Sequence, residues 1–467
     1  MTNFRKPFVW ALLILLICTG CSGSSLPTLS PVATMQSTAS QASTSPTDNP
    51  VQAYRECAFG FGEPPLISEH PVLKPTPTPS PTLPANQVVD AATTDQQLEA
   101  YQEIWNQINT RFVSTDFNGK DWPAIGKKYA ELIRKGWTQA DFYTAMQDMA
   151  RELEDPYTFF IPPSQPADQN PELENAGSIG VYGYIEGENF VISAVLPGSP
   201  AEKAGLKAHD LLLKVDGGPV VDANKAPRIG GELGSSVNFT VKSPGQQSRE
   251  VTLTREQVGF ISVLSCRFSE EQIGYISILD WNDPGLYDQT VNTIRAMAEV
   301  APLKGLILDD RQSGGYQFYF MRDFLSLFTQ GEIGDFITRD RNVDTSVMTD
   351  LVPIDLAGSQ TVPLVVITHP ENDSIVNTVA GILQNTHRAK LVGVPMSGIF
   401  GLSSVYSIPG GGQIAVHDRS FQPTGLPVDA WGRNGKIEPD ALVTASWLDY
   451  TEENDPYIAK AMELLKQ

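Results

Sequence analysis

The chain has 467 residues, too many for one ordinary domain, and its 41% apolar content is enough to build more than one core. Its 33 basic residues against 54 acidic ones leave a formal charge of −21. That balance disfavours nucleic acid as a partner, and no basic stripe overrides it.

Arg5 and Lys6 precede an apolar run from Phe8 to Ile17 that ends in Cys18-Thr19-Gly20-Cys21. The run is short for a bilayer span and suits the core of a signal peptide. Small residues followed by cysteine resemble a bacterial lipoprotein signal, with Cys18 where an aliphatic residue is usual. On that resemblance Cys21 is the lipidated mature N-terminus and the protein is an exported cell-envelope lipoprotein. The alternatives are a cleaved, unlipidated signal and an uncleaved anchor. Once Cys21 is lipidated, Cys57 and Cys266 remain in a compartment that permits disulfides, so their pairing is open. No Cys-x-x-Cys occurs and the five histidines are scattered, so no metal site and no cofactor are expected.

Residues 22–90 are rich in Ser, Thr and Pro, with the run Lys74-Pro-Thr-Pro-Thr-Pro-Ser-Pro-Thr. Such a segment buries too little apolar surface to offset its ordering entropy and reads as a tether. The island Arg55-Glu-Cys-Ala-Phe-Gly-Phe-Gly62 interrupts it and could dock on the folded body.

Over 91–170 the pattern is helical. Leu98, Tyr101, Ile104, Trp105, Ile108 and Phe112 recur at spacings of three and four. Thr138 and Asp141 predict the capped start of a second helix, with Phe142, Tyr143, Met146, Met149 and Leu153 as its buried stripe.

Between 171 and 256, Ser178-Ile-Gly-Val181 leads into the strand Phe190–Val195. Pro197-Gly-Ser-Pro-Ala-Glu-Lys-Ala-Gly-Leu206 supplies a turn and short helix, and Leu211-Leu-Leu-Lys-Val-Asp-Gly217 a further strand and turn. This order closely resembles a PDZ domain of the bacterial protease type. The resemblance implies capture of an extended C-terminal peptide tail, with Ile179, Gly180 and Val181 supplying amides to its carboxylate. His209 stands where the family usually has glycine; histidine tolerates positive φ well enough for the turn to survive.

Over 257–450, buried strands at 273–278, 305–308 and 363–367 alternate with helical patterns near 284–300, 316–328 and 374–386, and residues 451–467 close the chain as a helix. The whole is a multidomain α/β chain: a helical segment, a PDZ β-domain, and an α/β layered core with much of its sheet parallel. Catalytic groups in such layers sit at the carboxyl ends of strands, here Asp309-Asp-Arg-Gln-Ser-Gly-Gly315 and His369-Pro-Glu-Asn-Asp-Ser374.

Those loops, with Leu153-Glu-Asp-Pro-Tyr-Thr158, Ala380-Gly-Ile-Leu-Gln384, Val392-Gly393 and Gly435-Lys-Ile-Glu-Pro-Asp440, resemble the carboxyl-terminal processing proteases over roughly residues 95–445. That family uses a serine nucleophile, a lysine base and a nearby glutamine. Registered on Ala380–Gln384, the resemblance places Ser374 on the nucleophile, Ile399 on the lysine and Ser403 on the glutamine. A serine hydroxyl needs a base before it attacks, and isoleucine is none. The oxyanion loop, where Gly314 and Gly315 match the family's glycines, is one residue short and lacks its proline. The expected function is therefore a pseudoprotease that binds C-terminal tails of exported or unfolded proteins. The alternative is an active serine endopeptidase using another base, with His369 first and His417 second. As a plain helix N-cap, Ser374 needs no catalytic role. No oligomeric state follows from these residues.

Overall fold

The computed structural model describes Cys57 and residues 91–163, 176–222, 227–259, 261–314, 318–347, 349–368, 375–398, 400–426 and 435–467. The leader with Cys21, and the proline run, lie outside these residues. Among the described residues no helix is long and apolar enough to cross a membrane.

Helix Ala91–Arg111 buries Tyr101, Ile104 and Ile108, with Phe112 just past its end, and leaves Leu98 and Trp105 partly covered. Helix Gln139–Arg151 starts at Thr138, whose Oγ1 accepts the Asp141 N–H at 3.2 Å and donates to the Asp141 carboxylate at 2.6 Å. A helix between them, Trp122–Ile133, was not anticipated. Its signals are local: the Asp121 carboxylate accepts from the Ala124 N–H at 3.0 Å, and Pro123 sits in the first turn. The three helices share a core with Phe160, Ile414 and Val416 of a four-stranded antiparallel sheet. In that sheet the long strand Gln413–Pro423 pairs with Phe159–Ile161, Gly334–Thr338 and Gly401–Ser407. Its register against Gly401–Ser407 shifts between Leu402 and Ser403, so Leu402 faces Arg419 and Ser403 faces His417.

The main sheet has six strands in the order Ala441–Leu442, Lys390–Gly393, Leu364–Ile367, Gly305–Asp309, Ile273–Ile278, Val263–Phe268. All neighbours are parallel except the last pair. Its central strands Gly305–Asp309 and Leu364–Ile367 are buried on both faces, as a covered parallel sheet requires. Leu306, Leu308, Leu364 and Val366 pack beneath helices Leu286–Val300 and Ile375–Asn385, whereas Ile307, Val365 and Ile367 meet the C-terminal helix Pro456–Leu465. Cys57 is disulfide-bonded to Cys266 on the edge strand, and its N–H donates to the Arg267 carbonyl at 3.0 Å. The bond closes 209 residues of sequence.

A separate five-stranded antiparallel sheet runs Val181–Glu186, Asn189–Val195, Leu211–Val215, Ser236–Lys242, Arg249–Thr254. Ser199 caps the one-turn helix Pro200–Lys203, its Oγ accepting from the Glu202 N–H at 3.2 Å. The turn at His209 is intact with φ +73.

Candidate functional site

Strand Gly305–Asp309 ends in the segment aligned with the oxyanion loop. Arg311 is 3% exposed there and wholly engaged. Its Nη2 donates to Asp309 and to Asp455 at 2.7 Å, its Nε to Asp309 at 3.0 Å, and its Nη1 to the Tyr450 hydroxyl at 2.9 Å. Tyr275 donates to Asp309 at 2.7 Å from the neighbouring strand. Burial alone would raise the Asp309 carboxyl, but Arg311 and these hydrogen bonds hold it below the ordinary range. Asp455 is raised instead, because burial outweighs its pairing with Arg311. Asp310, 1% exposed, is pushed up to about 7 by burial, despite hydrogen bonds from Ser313 at 2.9 Å and the Trp281 indole at 3.1 Å. Gly314 is exposed, and its carbonyl accepts from the Trp281 N–H at 2.9 Å. The loop is thus braced from below by buried charge; Gly315 lies outside the described residues.

Ser374, His369 and Ile399 also lie outside them. What flanks position 374 is described: Thr368 past the strand end is fully buried with an unpartnered Oγ1, and Asn377 in the first turn of Ile375–Asn385 is 1% exposed with neither amide atom partnered. Buried polar atoms without partners are uncommon in folded chains. Periodicity could not have found them, because both residues fit an ordinary strand-turn-helix pattern.

Ser403 is described, and its hydroxyl donates to the Tyr157 carbonyl at 2.6 Å. Across the strand pair His417 is 4% exposed, with Nδ1 2.7 Å from Asp155 Oδ2 and Nε2 3.5 Å from Ser420 Oγ. The irregularity near Asp418 brings His417 and Ser420, three residues apart, within reach of each other, a displacement that a regular strand does not allow. Tyr157 packs on the imidazole at 4.9 Å. His417 therefore ties the turn at residues 155–158 to the long strand.

In the five-stranded sheet, Val181–Glu186 is an edge strand. The turn before it is tight: Gly180 has φ +78, and a Cβ there would lie 2.2 Å from the Ser199 Cβ. The Ile179 carbonyl accepts from Ala201 N–H and the Gly180 carbonyl from Leu196 N–H, both at 2.9 Å. The Gly180 amide donates to Ser178 Oγ at 3.0 Å. Between this sheet and the main sheet lies a cavity of about 360 Å³ whose walls include Val195, Lys207, Leu264, Gln312 and Glu452.

Comparison with known proteins matches residues 272–443 to Peptidase family S41, residues 94–151 to the Tricorn protease C1 domain and residues 191–242 to a PDZ domain. The chain is 27% identical over 394 residues to the carboxyl-terminal-processing protease of Picosynechococcus sp., covering 80% of this chain and 91% of that one. It is 26% identical over 383 residues to the chloroplastic C-terminal processing peptidase of Tetradesmus obliquus, covering 76% and 80%. A solved structure titled as an S41 protease, from Bacteroides fragilis, shares the fold over 78% of this chain and 96% of that one, at TM-score 0.51 and 13% identity. The three matches follow the chain in the same order as the helical region, the five-stranded sheet and the six-stranded sheet: the chain carries a Tricorn C1 region, a PDZ domain and a Peptidase family S41 region, and its homologues include carboxyl-terminal processing proteases.

Proposed function

We propose that the mature protein is an exported, lipid-tethered binder of C-terminal peptide tails that lacks the serine–lysine chemistry of its relatives. The observation that carries this reading is Ser403. It stands four residues beyond Ile399, where the resemblance places a glutamine, and its hydroxyl is given to the Tyr157 carbonyl. Neither isoleucine nor a serine hydroxyl is a general base, so neither position offers Ser374 a group to take its proton. The position of Val181–Glu186 at the edge of its sheet, with the glycine turn before it, supports strand addition of a tail, its carboxylate meeting amides of Ile179, Gly180 and Val181. The Cys57–Cys266 bond supports an oxidising, extracytoplasmic compartment, and Cys21 is the proposed lipidation site.

A second reading, hydrolysis with a histidine base, draws on one observation. Asp155 holds His417 Nδ1 at 2.7 Å, fixing the imidazole as an orienting carboxylate would. Both readings meet one test: the mature chain is mixed with a peptide bearing a free apolar C-terminus, and the bound fraction is eluted and weighed. Recovery of bound, intact peptide supports the first reading; a C-terminally derived fragment formed by wild type and not by Ser374→Ala overturns it.

A further inference from the structure

Among the described residues the PDZ sheet meets the core at two places. At one, Tyr182 donates to the Ile261 carbonyl at 3.1 Å while Ala194 and Leu196 pack on Leu279 and Leu264. At the other, His209 is driven into the C-terminal segment of the core. It is 1% exposed, stacks on Trp447 with ring centres 3.9 Å apart, and lies 4.8 Å from Tyr450. Its Nδ1 is 2.7 Å from the Trp447 carbonyl oxygen, which can only accept, so Nδ1 carries a proton. The Trp447 indole in turn donates to the Ile192 carbonyl at 3.3 Å, the oxygen that also receives the His209 N–H at 2.9 Å. The sequence resemblance puts a glycine at this position, so the histidine supplies a contact that a glycine cannot make.

The surroundings are hostile to a second proton on that ring. Arg311 lies over the Trp447 ring, 5.3 Å from its centre, and is paired with Asp309 and Asp455. From the same C-terminal segment come Glu452 and Glu453; from the histidine's own segment come Lys207 and Asp210. Lys207 pairs with Glu453 at 2.9 Å, and Asp210 with Arg249 at 3.2 Å. Glu453 is held at about 2 by hydrogen bonds from Thr451 and Lys207, so it stays charged through mild acid. Burial first, and then the Arg311 charge, push the His209 imidazole down to about 3.

We infer that His209 is an acid-labile pin that seats the PDZ domain on the core's Trp447–Tyr450 segment and lets go when its imidazole is protonated. In the undocked domain the ring is free and titrates near the ordinary histidine value of about 6.5. The docked state excludes the proton and the undocked state takes it up. Docking is therefore at full strength above about pH 6.5 and weakens by up to about tenfold per pH unit below it, down to about pH 3. Because Trp447 also carries Arg311, release of the pin is felt at the Asp309–Gly314 loop whether or not that loop takes part in hydrolysis.

The test uses the mature full chain labelled with ¹⁵N-tryptophan. Exchange of the Trp447 indole N–H requires it to leave the Ile192 carbonyl, so its rate divided by the intrinsic rate at each pH gives the opening constant. We expect that constant to rise about sixteenfold between pH 6.5 and pH 5.0 in wild type, and to stay flat in His209→Gln, which cannot take up a proton. A flat wild-type profile overturns the inference. So does an equal rise in His209→Gln, which would assign the pH response to Glu452 or another carboxylate.

Discussion

Ser403 gives its hydroxyl to the Tyr157 carbonyl at 2.6 Å and so joins the strand Gly401–Ser407 to the turn that closes the helical region. One strand further on, His417 reaches the same turn through Asp155 and Thr158, the latter accepting the His417 N–H at 3.1 Å. Two residues at positions where catalytic help could stand thus serve as braces in the fold.

Arg311 is the charge on which the loop after strand Gly305–Asp309 rests. Arg311→Met leaves Asp309 and Asp455 buried against one another, and we expect a loss of about 3–5 kcal/mol in urea unfolding. Arg311→Lys should recover little of it, because one ammonium cannot span Asp309, Asp455 and the Tyr450 hydroxyl together.

Asp310 sets a pH dependence of opposite sign to that of His209. Its carboxyl is raised to about 7 in the fold by burial, so the folded state holds a proton that the unfolded state releases above about pH 4. Its contribution is fully present below about pH 4 and is lost as pH rises through 7. Asp310→Asn should remove that loss: the wild-type stability curve minus the variant's should slope downward between pH 4 and 7, by at most about 1.4 kcal/mol per pH unit. A flat difference in melting curves would show that Asp310 is ionised in the fold.

Gly180 is the residue on which tail capture depends in the proposed mode. Gly180→Ala places a Cβ in left-handed backbone and 2.2 Å from the Ser199 Cβ, so the turn must shift. Calorimetric titration should show at least about tenfold weaker binding of a free-acid apolar tail, and an amidated tail should bind wild type more weakly than the free acid. Equal affinity for acid and amide excludes carboxylate capture.

The Cys57–Cys266 bond fixes a point in the proline-rich tether to the edge strand of the main sheet. Cys266→Ser should lower stability by about 2–4 kcal/mol, read by denaturant unfolding. Non-reducing peptide mapping of the wild type should recover the two cysteines in one linked fragment.

Much of this was legible in the sequence. Thr138 and Asp141 announced their helix because capping is a local bargain between neighbouring groups, and the strands at 273–278 and 305–309 announced themselves as apolar runs between turn residues. His209 was readable as a tolerated turn residue, and its φ of +73 agrees. Its burial against Trp447 was not readable, since 238 residues separate the two and nothing local encodes the contact. The same holds for Arg311 with Asp455 and His417 with Asp155, 144 and 262 residues apart. The pairing of Cys57 with Cys266 was an open possibility, because two thiols permit a bond without requiring it. The helix Trp122–Ile133 was missed although Asp121 and Pro123 mark its start, as its apolar stripe is short.

The central claim is that position 399 leaves Ser374 without a base. The most direct measurement is the rate at which the purified mature chain cleaves an unfolded protein, set beside Ser374→Ala, Ile399→Lys and Ile399→Lys/Ser403→Gln. The account predicts that wild type is no faster than Ser374→Ala. Ile399→Lys alone should recover little, since a new amine needs an apolar wall to lower its pKa and a partner to aim it. The double variant should recover more and still fall about a hundredfold or more short of a working relative. Robust cleavage by wild type that Ser374→Ala abolishes would contradict the account.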